Sequence, residues 1–130
     1  MEKQFQFVVA VICFILLIII LLASKLVSAE NYTNEQIADA IYLAEGGSKA
    51  KVPYGIYSVK VNSIEEARRV CLNTIKNNRK RFAKQSKYSD FIEFLGSRYA
   101  PIGVKNDPKG LNKYWVRNVK YFLKHHKKGG

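Results

Sequence analysis

The hydrophobic pattern divides the chain in two. Residues Phe7–Ala23 are apolar without interruption, whereas beyond Glu30 apolar residues recur among polar ones at helical spacing. At about 1.5 Å per residue the apolar run is about 25 Å long, and Phe5 with Leu26–Val27 extends it towards the thickness of a bilayer core. Lys3 supplies a basic start, and Val27-Ser28-Ala29 sets small residues where a signal peptidase reads them. Residues 1–29 therefore read as a signal peptide or an N-terminal membrane anchor. Cleavage after Ala29 is the preferred reading, and membrane association through residues 5–27 is the alternative. Either way the remainder is expected to be exported, to the periplasm or the cell exterior, free or anchored to the inner membrane.

Past the leader the pattern predicts four helices. Thr33 with Gln36 forms a capping-box signature, and Ile37, Ala38, Ile41, Tyr42 and Ala44 follow at helical spacing. This predicts a helix from about Asn34 to Glu45, stopped by Gly46-Gly47. After a short basic loop and Pro53, residues Tyr54–Val61 read as a short strand or irregular extended piece. Ser63 and Glu66 form a second capping signature. Ile64, Ala67, Val70, Cys71, Ile75 and Phe82 then mark the apolar face of a helix over about 64–84, whose other face carries Arg68, Arg69, Lys76, Arg79, Lys80 and Arg81. Ser89-Asp90 starts a third helix, with Phe91, Phe94 and Leu95, which Gly96 is expected to end. Arg98–Pro101 reads as an ordered loop, and Asp107-Pro108-Lys109-Gly110 is a turn sequence. A last helix from Leu111 or Asn112 carries Tyr114, Trp115, Val119, Phe122 and Leu123 on one face, with Asn118 close to the same side. The expectation is one small, mainly α domain over 30–124, α+β only through a minor strand element after the first of these helices. A basic flexible tail is expected over 125–130.

Charge and cysteine content narrow the function. The leader holds Lys3, Lys25 and Glu2, so of the chain's 22 basic and 10 acidic residues 20 and 9 remain beyond it, about +11. That charge predicts an anionic partner, whether nucleic acid, anionic lipid or a cell-wall polymer. Export favours the wall, so no nucleic acid is expected. Cys71 is the only cysteine beyond the leader, which excludes an intrachain disulfide there, and it reads as a buried small hydrophobe. His125-His126 has no further ligands at metal spacing, so no metal is expected, and no motif calls for a cofactor. A monomer is expected.

The candidate chemistry centres on Glu45. It lies three residues from Tyr42 and four from Ile41, at the inner edge of an apolar face and at the negative end of its own helix. Burial and the helix dipole both raise a carboxyl pKa, which suits a general acid. A groove is expected between this helix end, Tyr54–Ser58 and the last helix, lined by Tyr42 or Tyr54, Tyr57, Tyr99 and Trp115. Aromatic rings there can stack on sugar faces.

Glu45 at a helix end, then Tyr54-Gly55-Ile56-Tyr57-Ser58, then a late aromatic helix with Trp115-Val116-Arg117-Asn118-Val119, resembles the lysozyme-like lytic transglycosylase superfamily. That family has a glutamate ending a helix, a Gly-Leu-Met-Gln type segment along the sugar groove, and a late aromatic residue, usually tyrosine. Here Tyr57 and Ser58 stand for Met and Gln, Trp115 for the tyrosine, and glycine rather than serine follows the glutamate. The resemblance implies a lysozyme-like fold and cleavage of the β-1,4 bond between N-acetylmuramic acid and N-acetylglucosamine in peptidoglycan, with Glu45 as acid and then base. Tyr54, Gly55, Ile56, Tyr57, Ser58, Tyr99, Trp115 and Asn118 would bind the glycan strand. A lone glutamate fits a transglycosylase; a hydrolytic muramidase needs a second carboxylate, for which Asp107 is the one loop candidate. Two other classes stay open: a non-catalytic peptidoglycan-binding domain of the same fold, and a secreted basic protein that binds polyanions or membranes.

Overall fold

A computed structural model describes residues 1–27 and 32–126. The chain divides into two compact units, Met1–Asn31 and Tyr32–Gly130. In the first, helix α1 (Glu2–Val27) includes Glu2–Leu21, a span long and apolar enough to cross a membrane, with its side chains exposed. This fits a signal sequence or an anchor. The expected cleavage point after Ala29 and tail residues 127–130 lie outside the described residues.

The second unit is built from α2 (Asn34–Ala44), α3 (Ile64–Phe82), α4 (Phe91–Tyr99) and α5 (Trp115–His125). Helix α2 packs on α3 and α5, and α4 packs on the same two helices. Ile37 and Ile41 of α2, Cys71 and Ile75 of α3, Phe91 and Leu95 of α4, and Val119 of α5 are sealed in one shared core. Each of the first three helices starts as the sequence predicts. The Thr33 hydroxyl accepts from Gln36 N–H, and the Gln36 side chain accepts from Thr33 N–H. Ser63 caps Glu66 N–H, while the Glu66 carboxylate reaches one residue further back, to Asn62 N–H. Asp90 caps Glu93 N–H.

Three expectations are corrected. Among the described residues there is no strand. Tyr54–Val61 begins in a 3-10 turn (Pro53–Gly55), in which Tyr54 and Gly55 both have positive φ. Two left-handed residues in succession bend the backbone away from the extended form, and no neighbouring segment offers a ladder. Gly96 does not end its helix; α4 continues to Tyr99 because Gly96 is where α5 crosses. A Cβ there would fall 2.5 Å from Val116 Cγ2 and 3.1 Å from the Trp115 ring, so this glycine serves close packing. Finally, α5 begins at Trp115, not Leu111. Residues Leu111–Tyr114 form a 3-10 turn, whose N–H groups at 111 and 112 are capped by the two Asp107 carboxylate oxygens.

On the basic face of α3, Arg69, Lys76, Lys80 and Arg81 are exposed, whereas two arginines are engaged with other parts of the domain. Arg68 pairs with Asp39 and donates to the Tyr54 hydroxyl. Arg79 donates to the Asn34 side chain and the Tyr32 carbonyl and lies 4.6 Å over the Phe91 ring. Both tie the start of the domain to α3.

Candidate active site

Glu45 is the residue that ends α2: its backbone N–H still donates to the Ile41 carbonyl, that of Gly46 donates to Leu43, and the chain then turns away through Gly46. Its side chain points back into the domain. The Trp115 indole N–H, at the first position of α5, donates to Glu45 Oε1 at 2.8 Å. A residue pair seventy positions apart thus fixes the carboxylate. Burial pushes the Glu45 carboxyl above its ordinary value, and the Trp115 hydrogen bond offsets part of that rise.

The other side of the carboxylate lies against Gly55. A Cβ at this position would come 2.6 Å from both Cδ and Oε2 of Glu45 and 2.9 Å from Oε1. Gly55 also has φ +65, so the site requires glycine for both space and backbone conformation. The residue before it carries strain. Tyr54 has φ +59, a region bulky residues avoid, and three contacts hold it there. Its carbonyl accepts the Tyr99 hydroxyl at 2.5 Å, its own hydroxyl accepts from Arg68, and its ring packs 5.2 Å from that of Tyr42. Tyr99 in turn stacks on Trp115, with ring centroids 5.2 Å apart. One tyrosine therefore braces both neighbours of the carboxylate: the Tyr54–Gly55 turn and the indole.

Glu45 faces a cleft of about 350 Å³. Gly55–Ser58 form one wall. Val70 and Thr74 of α3 form another, and the end of α4 with its following loop, Arg98–Pro101, closes the third together with Asn106 and Asn112. Among the residues lining it, Glu45 is the one carboxylate. Asp107 is engaged in capping the turn before α5 and does not line the cleft.

Of the residues singled out from sequence, Glu45, Gly55, Ile56, Tyr57, Ser58 and Tyr99 come together on this cleft. Tyr57 is 75 % exposed, its ring free to meet a ligand. Trp115 is buried and reaches the site through its indole N–H. Tyr54 is buried behind the wall, and Asn118, on α5 beyond Trp115, does not line the cleft. Sequence reasoning missed Thr74, Arg98, Asn106 and Asn112 as lining residues. The Arg98–Pro101 segment did stand out as ordered, but nothing local said that it would face Glu45. Cys71 is buried against the Tyr99 hydroxyl at 3.8 Å, and burial pushes its thiol up to about 12, so it is no nucleophile. Among the described residues no cluster of His, Cys, Asp and Glu could hold a metal ion.

Comparison with protein-family models, with curated proteins and with solved structures finds no match to this chain.

Proposed function

We propose that the Tyr32–Gly130 unit is a lysozyme-like lytic transglycosylase domain that cleaves the β-1,4 MurNAc–GlcNAc bond of peptidoglycan, carried outside the cytoplasm by α1. The observation that carries this reading is the lone, partly buried carboxylate of Glu45, held by an indole N–H and seated on glycine at the wall of a cleft. Burial raises its pKa, which favours the acid form that a proton donor needs. Oε1 accepts from Trp115, so the proton resides on Oε2. Glu45 gives this proton to the bridging oxygen as the glycosidic bond breaks. The indole hydrogen bond strengthens as the carboxylate forms and so assists the proton's departure. The same carboxylate then takes the proton of the muramyl 6-hydroxyl, whose oxygen bonds to the anomeric carbon and closes a 1,6-anhydro ring. Glu45 ends protonated, and no water is consumed. The capping role of Asp107 argues against a second, water-activating carboxylate and hence against the hydrolytic variant. The domain's excess of basic residues supports retention on an anionic wall.

The test compares the full chain in detergent with its Glu45→Gln variant on insoluble peptidoglycan, weighing released muropeptides by mass spectrometry. Products lighter than hydrolytic ones by one water, about 18 Da, and absent with the variant, are expected. Products at hydrolytic mass would replace the ring-closing step with water attack. No release, with retention on the wall in a pull-down, would instead support a non-catalytic binder; neither release nor retention would leave a basic polyanion-binding protein.

A further inference from the structure

We propose that Arg98 makes the cleft a carboxylate-recognising site, so that the domain takes glycan strands bearing carboxylates in preference to neutral ones. This deepens the peptidoglycan reading and rests on it. Arg98 sits in the last turn of α4 and lines the cleft that Glu45 faces. It is exposed and has no hydrogen bond, ion pair or ring contact among the described residues. Arg68 is engaged by Asp39 and Tyr54, Arg69 by Glu66, Arg79 by Asn34 and the Tyr32 carbonyl, and Arg117 by the Tyr114 ring, while Arg81, exposed like Arg98, does not line the cleft. Arg98 thus belongs to the cleft lining and has donors that no other described residue uses.

The rest of the cleft does not neutralise it. Glu45 is the other charged group on the lining, and no ion pair joins it to Arg98. With Glu45 in its acid form, the cleft carries one positive charge. Nearby polar groups leave that charge for a ligand: the Thr74 hydroxyl donates to Val70 and the Asn112 amide to Pro101, while Asn106 is exposed with a free side chain. A planar guanidinium matches a carboxylate, which accepts two parallel N–H bonds, and the same cleft offers an amide donor from Asn106. On a peptidoglycan strand a carboxylate comes from two sources, the lactyl group of a muramyl residue stripped of peptide or the peptide stem itself. Chitooligosaccharide has neither.

The test titrates the full-length Glu45→Gln protein in neutral detergent, which binds without turnover, following fluorescence of Trp115, the single tryptophan of the chain. The ligands are chitohexaose, peptide-free glycan strands and peptide-bearing strands. Binding of at least one carboxylate-bearing strand about tenfold tighter than chitohexaose is expected, the magnitude of one solvent-accessible charge-assisted contact. Tight binding of peptide-free strands assigns the lactyl carboxylate; tight binding of peptide-bearing strands alone assigns the stem. Adding Arg98→Gln should erase the preference and leave chitohexaose affinity unchanged, Arg98→Lys should keep part of it, and added salt should weaken it. A preference that survives Arg98→Gln, or equal loss on all three ligands, overturns the proposal while leaving the peptidoglycan reading standing. Absence of binding to every glycan overturns both.

Discussion

Replacing Gly55 by alanine tests the geometry of the site most directly. The added methyl would stand 2.6 Å from Glu45 Cδ and Oε2, where ordinary contact begins at 3.4 Å. The carboxylate must therefore retreat by about 0.8 Å, or rotate away, and either movement breaks the 2.8 Å bond from Trp115. Displacement of a reacting group on the order of 1 Å costs about a hundredfold in rate. The backbone adds its own penalty, because alanine at φ +65 is destabilised by about 1–2 kcal/mol. For a domain of this size that corresponds to a fall of about 4–16 °C in Tm. Gly110→Ala separates the two effects: Gly110 has φ +63, but a Cβ there meets nothing within 4 Å. The assay pairs muropeptide release with thermal unfolding followed by circular dichroism. Both variants should lose similar stability from the backbone term, and Gly55→Ala alone should lose activity, by about a hundredfold. Wild-type activity in Gly55→Ala, with a Tm drop no larger than that of Gly110→Ala, would refute the claim that the Gly55 surface seats the Glu45 carboxylate for the proposed reaction.

Three further outcomes are expected. Trp115→Phe keeps a ring to stack on Tyr99 but removes the donor that holds down the Glu45 pKa. The alkaline limb of the pH–rate profile should move to higher pH while the maximal rate falls; an unmoved limb would remove the indole from the site's electrostatics. Because the folded-state pKa of Glu45 is raised, its contribution to stability is full below the ordinary value of 4.5 and is lost as pH rises through the folded pKa. Glu45→Gln should therefore be more thermostable than wild type at neutral pH, with the advantage vanishing below pH 4.5; a pH-independent difference in Tm would contradict burial of an ionisable group. Gly96→Ala should destabilise the domain by about 1–3 kcal/mol through overpacking against Val116, and adding Val116→Ala should restore part of that loss in a double-mutant cycle of urea unfolding.

What the sequence could and could not disclose follows from the range of the forces involved. The caps at Thr33, Ser63 and Asp90 are settled within four residues, and all three were legible. The apolar spacing of α2 and α3 also named most of the core, since a helix face is a property of the helix itself. Glu45 was legible for the same reason: its helix position alone put a carboxylate on the inner face. Legibility failed where a distant segment decides the conformation. Gly96 reads locally as a helix stop, yet Trp115 and Val116 crossing over it turn the missing side chain into a packing requirement, and α4 runs on. Tyr54 reads as a strand residue, yet the Tyr99 hydroxyl, 45 positions away, and Arg68 hold it at positive φ. These two failures lie on either side of the same carboxylate. Gly96 lets Trp115 approach α4 and reach Glu45, and the held Tyr54 turn delivers Gly55 to it. The segments that defy local propensity are those that assemble the site, as expected where backbone strain is retained for positioning. If that strain serves positioning, it resides in the contacts of Tyr99 more than in the sequence of the turn itself.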